Sequence, residues 1–394
     1  MMTIDHRCDN CQSQGMAVFY EVDDIPIHSN LLLSSRAEAL AQPLGQIQLG
    51  FCSTCGFISN LRFDATWLEY TPSYEDSQGF SLRFQAFMER LADRLIARYA
   101  LRQKDILEIG CGKGDFLILL CERGNNRGIG IDPSYDPARM NGGERSDVRF
   151  IKDYFSGAYA HLPADLICCR HTLEHLPHTA SFIRMLRDAI GERTDLIVFF
   201  EVPDTERILQ EGAFWDIYHE HCSYFSATSL IYLFESCGFE VLDFNKDFDD
   251  QYLLLEVKAA MAPRPTPPRS AQVALLSWAI EAFQTRYQEH IRHWQQTLRR
   301  LRSEAKRTVI WGAGSKAVAY LTTLHLGDAV ADVVDINPYK QGMYLPGTGH
   351  RIVAPDVLRD DPPDVVIVMN PIYRDEIRHT LSEMGIRAEC IAVT

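Results

Sequence analysis

The densest run of reactive side chains is Trp215-Asp216-Ile217-Tyr218-His219-Glu220-His221-Cys222-Ser223-Tyr224-Phe225. A histidine beside a glutamate can act as a general base with its tautomer fixed by the carboxylate, and a tyrosine can donate to a developing oxyanion. His219 and His221 can also ligate a metal. In an extended chain, however, they share one side and Glu220 faces the other, which leaves too few ligands. A second group, His171, Glu174 and His175, follows an apolar strand and borders the nucleoside site described next.

Two Gly-rich turns have the form that binds nucleosides. The first is Glu108-Ile109-Gly110-Cys111-Gly112-Lys113-Gly114-Asp115, with Asp132 roughly twenty residues further on, at the end of the next strand. Glycines let a ligand approach the backbone, and the carboxylate can accept both ribose hydroxyls. A dinucleotide would set its pyrophosphate on the helix N-terminus, where Asp115 repels phosphate. S-adenosylmethionine carries no phosphate, so the turn fits the methyl donor, with Asp132 on the ribose and Asp153 accepting from the adenine amino group. The second turn, Ile310-Trp311-Gly312-Ala313-Gly314-Ser315-Lys316-Ala317 with Asp335, is closer to the dinucleotide form. Only about ninety residues remain there, one mononucleotide half of such a fold. It reads as a nucleotide-shaped pocket without a redox cofactor, or more plainly as a packing turn in a docking domain.

Cys8-x-x-Cys11 and Cys52-x-x-Cys55 form a third constellation. Each pair lets two thiolates of one turn reach a single ion, and two pairs complete a four-coordinate Zn²⁺ with no open position, so the site is structural. A redox CxxC would start a helix after a strand, and neither pair does.

The elements that must position these groups follow from hydrophobic spacing. Apolar residues recur at helical intervals over residues 81–98 and 273–302; in the second helix Leu275, Leu276, Trp278, Ala279, Phe283, Tyr287, Ile291, Trp294 and Leu298 fall near one face. Between them, apolar strands alternate with helices, which predicts a doubly wound parallel sheet. The four prolines within residues 261–270 predict a linker. Domains are therefore expected at 1–75 (zinc-binding), 76–263 (donor-binding), 264–303 (linker and long helix) and 304–394 (nucleotide-binding-like). The chain has 394 residues, 46% apolar and 23% charged, a globular composition. With 39 basic against 53 acidic residues the net charge is −14, which opposes binding to nucleic acid or an anionic membrane. No apolar run nears the ~20 residues of a membrane span, and the opening residues lack a secretory segment. A cytosolic protein is expected, its 11 cysteines serving as thiols or ligands.

EIGCGKGDF, IGIDP, KDYF and RHTLEHLP resemble the motifs of class I S-adenosylmethionine-dependent methyltransferases. By that resemblance Glu108, Gly110, Gly112, Gly114, Asp132, Asp153 and His171 form the donor site. The order of zinc-type cysteines, methyltransferase core and a last part carrying WGAGSK and DINPYKQGMYLPGTGH resembles the three-domain C-methyltransferases that act on nucleotide-linked deoxysugars. The resemblance implies an α/β fold: a class I core, an N-terminal zinc-binding domain and a C-terminal half-Rossmann-like domain. It implies that Tyr218, Glu220 and His221 face the sugar with His219 and Tyr224, that His221 is the base oriented by Glu220, and that Tyr74, in the lid YTPSYEDS (70–77), is a catalytic tyrosine. Gly312, Gly314, Lys316 and Lys340 would hold the nucleotide diphosphate. The alternatives are an O-methyltransferase, a methyltransferase of another small molecule, a nicotinamide oxidoreductase built on the second turn, and a zinc-ribbon binding module.

Overall fold

The computed structural model describes residues 2–67, 73–139, 146–262 and 269–394. Parts of the expected lid (70–72) and linker (263–268) lie outside them. The N-terminal strands β1 (Met2–Arg7), β2 (Gln14–Pro26), β3 (Leu44–Phe51) and β4 (Ile58–Asn60) pair antiparallel in sequence order, with the short helix α1 (Arg36–Leu40) between β2 and β3. Both CxxC pairs sit in tight hairpin turns closed by Gln12 N to Cys8 O (2.8 Å) and Gly56 N to Cys52 O (2.9 Å). Because Ala17 near the start of β2 pairs with Phe51 at the end of β3, the two turns lie side by side at one end of the sheet.

Helix α2 (Leu82–Tyr99), capped by Ser81, leads into the central sheet. Its parallel strands are β5 (Asp105–Ile109), β6 (Arg127–Ile131), β7 (Val148–Ile151), β8 (Leu166–Arg170) and β9 (Ile197–Pro203). After β9 come helix α5 (Thr205–Glu211) and β10 (Ser223–Tyr224), which leaves this sheet and pairs with β4 of the first. Helix α6 (Ala227–Ser236) and the antiparallel β11 (Phe239–Asp247) and β12 (Tyr252–Ala259) complete the central order β11-β12-β9-β8-β5-β6-β7. Strand order reverses at β5, flanked by β6 and β8, so the turn after β5 opens at the switch point where such sheets bind ligands. Helix α3 (Asp115–Gly124) follows that turn, and α4 (Thr179–Ile190) follows β8.

Helix α7 (Ser270–Ser303) leads to a third sheet of parallel strands β13 (Thr308–Trp311), β14 (Asp332–Val334), β15 (Ile352–Val353), β16 (Val365–Val368) and β17 (Glu389–Ala392). Its order β15-β14-β13-β16-β17 again puts the Gly-rich turn, between β13 and α8 (Ser315–Leu324), at a switch point. The expected α/β class, with a doubly wound core and a smaller third α/β unit, is the observed one. No helix among the described residues is long and apolar enough to cross a membrane.

The α7 face differs from the expected one. Val273, Leu276, Ile280, Phe283, Trp294, Leu298 and Leu301 are buried, whereas Leu275 (59% exposed) and Trp278 (65%) point outward. At 100° per residue both lie well off the stripe through Leu276, Ile280 and Phe283. The buried stripe joins two sheets: Phe283 packs against Phe19 and Tyr20 of β2, and Trp294 against Tyr320 of α8. Phe283→Ala is therefore expected to destabilise the protein by about 3–5 kcal/mol, and Trp278→Ala by no more than ~0.5 kcal/mol. Urea unfolding curves of the two variants check the difference.

Candidate active site

Asp132, next after β6, closes the first Gly-rich turn. Its Oδ2 accepts from Gly112 N (2.8 Å), and its Oδ1 from Ser134 N (2.7 Å) and Ser134 Oγ (2.6 Å). The three glycines serve different ends. A Cβ on Gly110 (φ +68°) would stand 1.9 Å from Thr172 Oγ1, and one on Gly114 (φ +87°) 2.4 Å from the Phe150 ring, so both permit close packing. A Cβ on Gly112 would meet nothing within 4 Å; that position faces the open cleft, as a ligand lying along the backbone requires. Asp153 lies two residues beyond β7, exposed, and hydrogen bonds from the Tyr159 hydroxyl and Tyr154 N hold its carboxyl below the usual range.

Charged side chains lie beneath the turn. Burial pushes Glu108 up to about 8 against the pull of Arg170 and the Leu117 amide. Arg170 instead makes a two-pronged pair with Glu201, at 2.9 and 3.0 Å. His171, in the left-handed region (φ 49°), places Nε2 2.7 Å from Glu201 and Nδ1 3.6 Å from Glu174. Burial opposes its charge, but these carboxylates prevail and lift it to about 9.

One short loop links donor cleft and reactive stretch. Thr172 packs on Gly110, and His175 N bonds Thr172 O (3.1 Å) to close a turn that carries the His175 ring to within 4.8 Å of the His221 ring. The reactive stretch is itself held from three sides. Asp216 pairs with Arg207 (2.6 Å) and with Lys316 of α8 (2.6 Å). Asn60 N bonds Cys222 O, and Cys222 N bonds Glu174 O.

Between these anchors, His221 N to Tyr218 O (3.2 Å) closes a turn, so the side chains fan out instead of alternating. His221 is buried against Tyr218 (ring centroids 4.2 Å) and His175. Burial, then His175 and His171, push its pKa well below the usual value and leave a neutral proton acceptor. The carboxylate of Glu220 points elsewhere than expected: it accepts from Ser29 N (3.1 Å) and the Tyr74 hydroxyl (3.3 Å) and lies 3.3 Å from His28 Nδ1. The backbone O of Glu220 is what meets His175 Nδ1, at 3.1 Å. His219 turns to Gly45 and Phe63 of the first domain, away from His221. Tyr224, in β10, bonds Tyr218 O through its hydroxyl (3.2 Å).

The four cysteines fit a tetrahedral ion. Cys8 and Cys55 sulfurs are 3.7 Å apart and those of Cys11 and Cys52 3.6 Å, close to the ~3.8 Å edge implied by Zn–S bonds of about 2.3 Å. All four are free thiols. Asn10 Nδ2 points to Cys55 Sγ (3.7 Å) and also bonds Ser229 O (3.0 Å), tying the cluster to α6.

In the third domain Asp335 repeats the device of Asp132, accepting from Ala313 N (2.7 Å) and Asn337 N (2.8 Å). A Cβ on Gly314 would meet nothing within 4 Å, so this turn is open too. Lys340 stands beside it, donating to Ala313 O (2.9 Å) and Asn30 Oδ1 (3.3 Å). Lys316 instead commits its ammonium to Asp216. Residues 74–78 bridge the parts: Tyr74 to Glu220, Glu75 to Asn337, Ser77 to Asp115, Gln78 to Tyr252 and Tyr373. Sequence reasoning missed His28, Ser29 and Asn30, which lie in no motif and gain their partners only through the fold.

Residues 84–243 match the family model of a methyltransferase domain, and residues 274–390 that of the C-methyltransferase C-terminal domain. The C-methyltransferase NovU of Streptomyces niveus is 28% identical over 308 residues, 74% of this chain and 72% of the relative. Among solved structures, magnesium protoporphyrin IX methyltransferase from Synechocystis PCC 6803 with bound S-adenosylhomocysteine aligns at 16% identity and TM-score 0.36, covering 48% of this chain and 91% of that one. The 1,6-didemethyltoxoflavin-N1-methyltransferase of Burkholderia thailandensis aligns at 18% and 0.35, covering 46% and 82%.

Asp132→Ala is expected to weaken S-adenosylmethionine binding more than tenfold, since charge-assisted hydrogen bonds contribute roughly 1.5–3 kcal/mol each. Gly112→Ala should fold but bind the donor poorly, because its methyl group enters the cleft. Calorimetric titration of both variants with S-adenosylmethionine, alongside their melting curves, separates lost binding from lost fold.

Proposed function

We propose that this chain, which belongs to the class I S-adenosylmethionine-dependent C-methyltransferases, methylates the carbon next to a ketone of a nucleotide-linked deoxysugar through an enolate. The observation that carries the reading is the buried, neutral His221, joined to the donor cleft through the loop from Thr172 to His175. A ketone acidifies its neighbouring C–H. His221 takes that proton and the phenol of Tyr218 donates to the enolate oxygen, joined by Tyr74 once its single hydroxyl proton, which Glu220 accepts in the free enzyme, turns to the substrate. S-adenosylmethionine, when bound, supplies the methyl group as an electrophile on a sulfonium.

The nucleotide diphosphate is assigned to the open turn of the third domain, with the backbone amides about Gly312 and Gly314 and with Lys340 beside them. Lys316, paired to Asp216, serves by anchoring the reactive stretch. The four cysteines hold one structural Zn²⁺, and a cytosolic setting suits their free thiols. Elemental analysis is expected to find one zinc per chain at these cysteines. Stripping it should slow methylation by loosening the β4–β10 joint while leaving donor affinity unchanged; zinc-free protein at full activity would refute the assignment.

Proton removal is separable from methyl transfer. With a 4-keto nucleotide sugar and S-adenosylhomocysteine in D₂O, the enzyme is expected to exchange the α-hydrogen for deuterium. His221→Asn should cut exchange and methylation together by roughly 10²- to 10⁴-fold, whereas Asp132→Ala should spare exchange. Exchange at the wild-type rate in His221→Asn would move the base elsewhere, and methylation without exchange in the wild type would point to an oxygen acceptor.

A further inference from the structure

Glu174 is 2% exposed, and neither of its carboxylate oxygens has a hydrogen-bond partner. A buried carboxylate left this way is costly, so it implies a positive group that its surroundings are shaped to receive. His171 supplies that only partly: its Nδ1 stands 3.6 Å away, beyond hydrogen-bond reach, and its Nε2 is 2.7 Å from Glu201. One donor atom from each of Glu174, His175 and His221 lies within 4.8 Å of the other two. The sequence offers too few ligands around His221 alone; the fold adds two from the loop after β8.

We propose that Glu174, His175 and His221 form a second metal site, taking a divalent first-row transition ion such as Zn²⁺ or Co²⁺. Two imidazoles and a carboxylate are a ligand set for such ions, and three protein ligands leave a position for exchange. The supports are those a metal site uses. The backbone carbonyl of Glu220 can only accept, so the proton of His175 sits on Nδ1 and the lone pair on Nε2. The backbone of Glu174 is pinned by Cys222 N at 3.0 Å. An ion held about 2.0–2.2 Å from each donor needs those donors roughly 3–3.5 Å apart, so the three groups draw together by up to about 1.5 Å on loading. The site stands on this geometry and not on the enolate reading. A metal and a proton compete for the same lone pair of His221, so the loaded protein cannot use that residue as its base, and the ion acts as an inhibitor.

The test is titration with Co²⁺ of protein that keeps zinc at its four cysteines. One cobalt per chain is expected, with weak visible d–d bands and no sulfur-to-metal charge-transfer absorption. Glu174→Gln, His175→Asn and His221→Asn should each weaken uptake by at least the ~10–100-fold that loss of a supporting contact costs. Zinc content and S-adenosylmethionine binding show that each variant is folded; where one is not, Glu174→Asp or His175→Gln takes its place. The proposal is overturned if the wild type takes no cobalt, if charge-transfer bands show cobalt displacing zinc from the thiols, or if folded variants bind cobalt as the wild type does. These spectra do not depend on any substrate, so they decide the site even if no keto sugar is ever turned over.

Discussion

The arrangement depends on a two-residue strand. By pairing with β4, β10 takes the chain out of the central domain and fixes it to the N-terminal sheet, directly after the turn that carries His221. The turn is thus clamped at both ends, by Asp216 to α8 on one side and by Cys222 to Asn60 and Glu174 on the other. Its side chains can then serve two parts of the chain at once: His221 faces the loop after β8 of the core, while Glu220 reaches residues 28–29 and 74 and His219 packs on Gly45 of the N-terminal part. A pairing this short has little stability of its own. It relies on the cysteine cluster at the end of the same sheet and on the contact of Phe57 with Phe225 (5.3 Å).

The two Gly-rich turns show one backbone device put to two uses. In each, an aspartate from the neighbouring strand end accepts from an amide of the turn and from the amide two residues after itself. This satisfies backbone donors that would otherwise be orphaned in a tight turn. Their surroundings differ: the first turn stands over buried charged side chains, the second beside Lys340 and Asn30. The chemistry of each site comes from what the rest of the chain brings to the turn.

That difference sets what was legible in the sequence. Both turns, their aspartates, the cysteine pairs and the reactive stretch could be read because their meaning is local, in spacing of a few residues or a strand end. The central and third sheets followed from apolar strands alternating with helices. The role of Lys316 did not follow, because its partner Asp216 lies 100 residues away. Glu220 does not meet the His221 ring as the resemblance implied, because its partners at residues 28, 29 and 74 are distant in sequence, and His219 does not share a side with His221, because alternation assumes extended backbone and His221 N to Tyr218 O makes a turn there. His28 to Asn30 gave no signal at all, since buried polar residues in a motif-free segment are recognisable only by partners that the fold supplies. Leu275 and Trp278 were placed on the packed face of α7 because a broad apolar stripe does not show which edge meets a neighbour.

The buried charges under the first Gly-rich turn explain how the loop after β8 joins that turn to the stretch that carries His221. Arg170, Glu201 and His171 are interior groups, and an interior ion pair returns at best what its desolvation costs, so net stability is a weak reason to keep one. What such pairs do provide is fixed geometry, since each partner is expensive to leave unmatched. His171 adopts a left-handed backbone, a strain of about 1–3 kcal/mol for a residue of this type. The two carboxylates drawn to its charged ring, together with the bond from its amide to Glu201 O (2.9 Å), hold it there. The chain consequently leaves β8 in one direction only, laying Thr172 against Gly110 and His175 against His221. Charge at the sheet edge thereby sets the position of the buried His221 imidazole, which it does not itself contact.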